Sequence, residues 1–414
     1  SLEAEAEVVE LVKDGEKVLT LFEGNSGIVV LDKTPFYGEG GGQVGDIGML
    51  TTALTQTDVS DTKKTPDGKY YHIVEVKEGQ ISVGDKVCAK VDAATRRAIQ
   101  RNHSVTHLLH KALKNRFGSQ VGQAGSLVTP ERMRFDFTLN EPVSAEDLQI
   151  VEREVNQHIL MALPIKWENM PIAEAKKLGA TAMFGDKYGD VVRVVSMGDY
   201  SMELCGGCHM TNTAEIGLVK ILSESGVAAG VRRIEATTGA GVIKEIYGLQ
   251  KVIRDASETL KCSPKDLPKK AAAVNEELKT AHSQIESLKA KLAKGSEGEL
   301  LEDAREINGI TIVTGRIDGA DTDTLRALGD SLKEKLECAF LALAAVSEGK
   351  VTFITMATKA AVDKGVHAGN IIREIAKIAG GGGGGKPDSA QAGGKNPAKT
   401  DEALAAVYSL IEKL

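Results

Sequence analysis

The chain has 414 residues, 26% of them charged and 42% hydrophobic, the composition of an ordinary globular protein long enough for two or three domains. Its net charge of -7 excludes bulk attraction to nucleic acid, though local basic patches stay open, and its five cysteines lack the pattern of a disulfide framework. No stretch reaches the length of a membrane span, and a reducing, cytoplasmic setting is expected.

The chain opens at Ser1 without Met, on an acidic run unlike a targeting peptide, and we read it as part of a longer polypeptide. Residues 4–22 are expected to form a short helix and a connection. Gly27–Leu31 reads as a strand, being short, β-branched and bounded by turn residues. Then comes Thr34-Pro35-Phe36-Tyr37-Gly38-Glu39-Gly40-Gly41-Gly42-Gln43-Val44-Gly45-Asp46. Glycines so dense either let backbone approach a ligand or make a tight turn between strands. Further strands are expected near Tyr70–Val76 and Lys86–Val91, which suggests a small β-barrel over roughly 15–91.

Asp92 to Phe117 reads as a long helix, capped by Asp92 and ended by Gly118. Met133–Thr138 alternates as a half-buried strand does. Ser144 followed by Glu146 and Asp147 marks the start of a helix running to about Met161, ahead of Pro164. A short helix over about 171–178, a strand at Val191–Val195 and an alternating run at Val231–Ala236 follow. Strands broken by long helices, without a βαβ rhythm, indicate an α+β core over 92–239.

Gly241–Leu260 is helical, and Ser263-Pro264 breaks it. Beyond, Leu267, Ala271, Val274, Leu278, Ala281, Ile285, Leu288 and Leu292 recur at spacings 4,3,4,3,4,3,4, a heptad seam that Gly295 is expected to end. Residues 240–300 should form an antiparallel helical hairpin or a coiled-coil arm. Residues 301–414 read as a small α/β domain: a strand at Gly309–Val313, a helix at Thr322–Leu336, and strands Ala339–Val346 and Val351–Ala357. The link Ser347-Glu348-Gly349-Lys350 makes those strands an antiparallel hairpin. A helix at Gly369–Ala379, six glycines at Gly380–Gly385, then Lys386-Pro387-Asp388, and a final helix from Glu402 complete it. We favour a ligand-facing loop over a helix terminus for the glycine run, rather than a flexible linker. The fold class is thus multidomain α+β, with the first segment ending at residue 91.

Chemistry concentrates in two stretches. His103 and His107 stand four apart on one helix, within reach of one metal, with His110 a turn further on. Cys205 and His209 are also four apart, with Gly206 and Gly207 between them to let the backbone fold tightly. Cysteine with histidines is a set that tetrahedral zinc accepts, and we read a zinc (Zn2+) site in an enzyme. Cys208 competes as an alternative ligand, because Cys205-x-x-Cys208 is itself a zinc or redox spacing. Four protein ligands would close the site structurally, whereas three would leave an open position suited to catalysis.

Phe36–Asp46, the His103–His107 motif, Gly125-Ser126-Leu127-Val128, Arg134-Phe135-Asp136-Phe137 and Cys205-Gly206-Gly207-Cys208-His209 occur together, in this order. In this respect the chain resembles the editing part of the alanyl-tRNA synthetase family. Its last third, with the glycine run before Lys386-Pro387-Asp388, resembles that family's C-terminal domain. The resemblance covers nearly the whole chain and lacks the aminoacylation domain with its ATP site, as a C-terminal fragment would. It implies hydrolysis of tRNA(Ala) mischarged with Ser or Gly, and zinc held by His103, His107, Cys205 and His209. It also implies a pocket glutamine at Gln123, a tRNA-binding C-terminal domain, and homodimerisation through 240–414, with no membrane or DNA partner. The family commonly carries Thr where Cys208 stands, which leaves a ligand swap open.

Serine exceeds alanine by one hydroxyl, which an apolar pocket rejects poorly, so a second site must read it by hydrogen bonding. A missing hydroxyl then leaves a polar group unpaired, at about 1–3 kcal/mol. Thr106, Gln123 and Gln43 are candidate polar pocket members, beside the glycine loop Gly40, Gly41 and Gly42. No Asp or Glu stands beside the histidines in sequence, so substrate positioning could supply much of the effect. Arg96, Arg97, Arg101, Lys111, Lys114, Arg232 and Arg233 are candidate tRNA backbone contacts, or simply solvated faces; Lys386, Lys395 and Lys399 flank the glycine run. Alternative readings are a freestanding deacylase acting in trans, and a tRNA-binding and dimerising module with a structural zinc.

Overall fold

The computed structural model describes residues 1–182, 189–347 and 349–414, with backbone alone at 290 and 292–294. The side chain of Leu292 in the seam and Glu348 in the hairpin link lie outside the described residues. The chain divides into two compact units, Ser1–Asp255 and Ala256–Leu414.

The first unit opens on strands: β1 (Glu3–Lys13), β2 (Glu16–Val18), β3 (Thr20–Phe22), β4 (Ser26–Leu31), β5 (Gly48–Thr51), β6 (Gln56–Lys64), β7 (Tyr70–Glu78), β8 (Gln80–Ser82) and β9 (Lys86–Val91). Six of them close a barrel in the order β1-β4-β7-β6-β5-β9, with β9 returning to β1. Every pairing in it is antiparallel. Leu11, Val29, Leu50, Val76 and Ile81 fill its interior. The helix expected in residues 4–22 is instead β1 and its neighbours. Glutamates 3, 5 and 7 face water while Ala6 and Val8 are buried. A bulge between Val8 and Glu10 then shifts the phase, so that Leu11 points inward too. That shift hides the period of two. β5 and β6 went unforeseen; two of the buried positions of β6 are Thr57 and Thr62 rather than aliphatic residues.

The rest of this unit contains α1 (Ala93–Phe117), β10 (Gln123–Val128), β11 (Met133–Thr138), α2 (Ala145–Leu160), β12 (Ile165–Pro171), α3 (Ile172–Lys177), β13 (Val191–Met197), β14 (Ser201–Leu204), β15 (Val219–Ala228), β16 (Val231–Thr238) and α4 (Ala240–Thr259). α1 begins where Asp92 accepts from the Thr95 amide and ends at Gly118 with φ 91°. Its middle, Asn102 to His110, is buried throughout. It packs on α2, on the four-stranded sheet β10-β11-β16-β15, and on β14 of the three-stranded sheet β12-β13-β14. The glycine loop of the barrel docks on β10: the Val128 amide donates to Gly42 O at 2.7 Å and the Val44 amide to Val128 O at 3.1 Å. Gly42 is required there, because its φ is +84° and a Cβ would lie 2.5 Å from Ser126 O.

The second unit holds α5 (Leu267–Glu302), β17 (Arg305–Ile307), β18 (Ile310–Arg316), α6 (Thr322–Lys335), β19 (Ala339–Ser347), β20 (Lys350–Ala357), α7 (Lys359–Asp363), α8 (Ala368–Ile378), β21 (Gly382–Gly385), β22 (Ser389–Gly394) and α9 (Thr400–Glu412). α5 continues through Gly295 rather than ending there. A helical glycine costs only about 1 kcal/mol, and the last turns pack Leu300 and Leu301 against the α6 core. Along its seam, Leu278, Ile285 and Leu288 are 57%, 48% and 64% exposed. The six-stranded sheet runs β17-β18-β19-β20-β22-β21 and is mixed, with β18 and β19 parallel. α8 and α9 cover one face and α6 the other.

The glycine run is not a ligand-facing loop. Gly382–Gly385 is an edge strand paired with β22. A Cβ on Gly383 would lie 2.4 Å from Ala392 Cα, and one on Gly369 would lie 2.3 Å from Gly385 O. At Gly369 and Gly383, helix, edge strand and neighbour thus approach too closely for any side chain. The α8 terminus is occupied as well: the Ala368 and Gly369 amides donate to Pro387 O and Lys386 O. Among the described residues no helix is long and apolar enough to cross a membrane.

Candidate metal centre and cavity

α1 supplies His103 and His107, and the turn after β14 supplies Cys205 and His209. One ligand atom from each lies within 4.8 Å of the others. Cys205 Sγ is 3.3 Å from His103 Nε2 and 3.3 Å from His209 Nε2. His107 Nε2 is buried and has no hydrogen-bond partner. Each imidazole is held through its other nitrogen: His103 Nδ1 donates to Gln43 Oε1 at 2.8 Å, His209 Nδ1 lies 3.3 Å from Ser104 Oγ, and His107 Nδ1 meets Glu203. Gln43 Oε1 also accepts the Cys208 amide at 2.8 Å, which fixes it as an acceptor. Three converging nitrogens and one sulfur, oriented from behind, fit a metal that takes imidazole and thiolate in tetrahedral geometry.

The turn is tight because Gly207 makes it so. A Cβ there would lie 1.9 Å from His103 Cε1, whereas one on Gly206 meets nothing within 4 Å. The charges agree with a cation site. Burial opposes a thiolate at Cys205, but the neighbouring histidines hold its pKa well below the usual value. Burial also opposes a charged His107, yet Glu203 and Cys205 push its pKa up to about 10. Burial takes His209 down to about 3. Glu203, despite burial, is lowered to about 2 by His107 and His110.

A cavity of about 430 Å³ opens against this centre, with His103 and Cys205 in its wall. Gly40 and Gly41 line it, as do Thr106 and Gln123. Gln123 Oε1 is buried there without a partner. The Thr106 hydroxyl donates to Asn102 O at 2.9 Å. Gln43 and Gly42 do not line the cavity; Gln43 is fully buried behind His103.

Several residues fall elsewhere than the sequence suggested. Cys208 lies outside the converging set and instead lines a separate hollow with Arg96, its thiol raised by burial. His110 likewise contributes no ligand atom and bonds to Glu203 at 2.7 Å. Arg96 is 8% exposed and paired with Asp46, so it presents no cation to a phosphate. Arg232 is turned onto Glu224 and Arg233 onto Asp136, in two-pronged pairs. Arg101 donates to Glu215 O at 2.9 Å. Arg97, Lys386, Lys395 and Lys399 are exposed, while Lys111 and Lys114 are half-buried.

Two residues escaped the sequence reading. Glu203 stands two before Cys205 and is buried in β14. Arg193 interrupts an apolar strand; it lines the cavity, donates to Gly207 O at 2.6 Å and stacks over Trp167 at 5.2 Å.

Family models agree with this architecture. Residues 1–95 match tRNA synthetases class II (A), residues 192–235 the threonyl and alanyl tRNA synthetase second additional domain, and residues 309–413 the DHHA1 domain. Two stretches of the chain are thus similar to parts of tRNA synthetases. The alanine–tRNA ligase of Alkaliphilus oremlandii is 50% identical over 411 residues, 99% of this chain and 47% of that protein. That of Acetivibrio thermocellus is 50% identical over 410 residues, again 99% and 47%. Among solved structures, the C-Ala domain of Aquifex aeolicus alanyl-tRNA synthetase is 31% identical, with 27% of this chain and 98% of that chain covered at a TM-score of 0.26. The similarity to alanyl-tRNA synthetases thus runs the whole length of this chain, which spans about half the length of the curated relatives it matches.

Proposed function

We propose that the chain hydrolyses the ester of tRNA(Ala) mischarged with serine or glycine, with zinc held by His103, His107, Cys205 and His209. The observation that carries this reading is the convergence of those four donors in and behind the wall of a cavity lined by Thr106 and Gln123. When bound, zinc supplies a Lewis acid beside the cavity. The remaining work falls to the chain. Gln123 Oε1, buried and unpartnered, accepts a hydrogen bond from the serine hydroxyl. Alanine leaves that oxygen unsatisfied, which favours serine over it by about 1–3 kcal/mol; glycine has no hydroxyl either, so this bond does not account for its release. Arg193, in the cavity wall, holds the Gly207 carbonyl and so keeps the turn in place. Exposed Arg97, with Lys386, Lys395 and Lys399, is left as a candidate contact to the tRNA backbone. The exposed seam of α5 supports self-association through 240–414. A division at about 91, 239 and 300, and a cytoplasmic setting, belong to the same proposal.

The test is release of serine, glycine and alanine from charged tRNA(Ala) by the purified chain. Serine and glycine released faster than alanine supports the reading; equal rates for all three count against it. A structural zinc is the second reading, favoured by the four protein donors, which leave a tetrahedral ion no open position. It predicts that the zinc-loaded chain binds tRNA without hydrolysing it.

A further inference from the structure

We propose that Glu203 is the positioning residue of the metal centre, clamped between His107 and His110 so that it fixes the His107 tautomer and balances the charge of the bound ion. This rests on the zinc reading above. Glu203 is 3% exposed, and its two oxygens are divided between two rings on α1. Oε2 meets His107 Nδ1, and Oε1 accepts from His110 Nδ1 at 2.7 Å. The two histidines are three apart on the helix, which lets both reach one carboxylate. An ionised carboxylate only accepts, so both Nδ1 atoms carry protons, and in a neutral ring, the form a metal requires, Nε2 is then the lone pair. Both Nε2 atoms are buried without a hydrogen-bond partner. For His107 the bare nitrogen belongs to the donor set. For His110 it does not, and that ring packs on Phe135 at 5.3 Å. His110 therefore serves Glu203 rather than the ion.

Charge balance gives a second reason for the carboxylate. A divalent ion with one thiolate and three neutral imidazoles keeps one uncompensated positive charge in a buried site. Glu203 supplies the matching negative one, and an unmatched buried charge is strongly unfavourable. An ordinary core hydrogen bond would have no such link to the metal.

The experiment compares zinc affinity, by chelator competition, and the absorption of the cobalt-loaded protein between wild type, Glu203→Gln and His110→Asn. Glu203→Gln keeps the shape but loses the charge and can donate to His107, favouring the tautomer that cannot ligate. We expect zinc affinity to fall about 10–100-fold with a changed cobalt spectrum. His110→Asn retains a donor for Glu203 and should stay within a few-fold of wild type. Wild-type affinity and spectrum in Glu203→Gln overturn the proposal while leaving the zinc reading intact; a wild type that binds no zinc overturns both. Should Glu203→Gln not fold, nitrogen-15 spectra of the zinc-loaded wild type decide. Nδ1–H tautomers at His107 and His110 support the clamp, and an Nε2–H tautomer at His110 overturns it.

Discussion

Gln43 Oε1 accepts from His103 Nδ1 and from the Cys208 amide, each at 2.8 Å. One buried amide from the barrel loop thereby holds both halves of the metal centre, the helix and the cysteine turn. Gln43→Leu removes both bonds without exposing the site. Metal affinity should fall about 10–100-fold, as losses of such supporting partners do, and chelator competition measures it.

Two adjacent glycines predict opposite outcomes. Gly207→Ala puts a Cβ where His103 stands, 1.9 Å from Cε1, so the purified protein should carry little or no zinc. Gly206→Ala meets nothing within 4 Å and should load normally. Metal analysis of both proteins, with circular dichroism to verify folding, checks the contrast.

Arg96 and Asp46 form a buried pair that ties α1 to the glycine loop. Removing one partner leaves the other charged and buried, so Asp46→Ala should cost about 3–5 kcal/mol in urea unfolding. Arg97→Ala, on the exposed face beside it, should change stability by less than about 0.5 kcal/mol.

The edge strand of the second unit makes a similar comparison. Gly383→Ala drives a Cβ to 2.4 Å from Ala392, so overpacking of about 1–3 kcal/mol is expected. Gly382→Ala meets nothing within 4 Å and should be tolerated. Unfolding midpoints of the two variants test this.

Much of this was legible in the residues, and where it was not, the reason is physical. The α1 helix announced itself through Asp92, its apolar period and Gly118, and with it came the spacing of His103 and His107. β1 did not, because a bulge breaks its alternation and its alanines and glutamates favour helices. Gly382–Gly385 read as a loop, since composition carries no trace of a helix pressed onto a strand. Arg96 read as a surface cation because its partner, Asp46, is fifty residues away and nothing local signals the pair. Glu203 was missed for the same cause: it meets its histidines only when β14 is laid along α1.

The central claim is that the metal and the cavity act together in deacylation. Its most direct test strips the purified chain with a chelator, confirms that the fold persists, and restores zinc stepwise while following serine release from Ser-tRNA(Ala). The account predicts release at background in the stripped protein, rising in proportion to zinc and saturating near one ion per chain. Serine release by the stripped protein as fast as by the loaded one would contradict it.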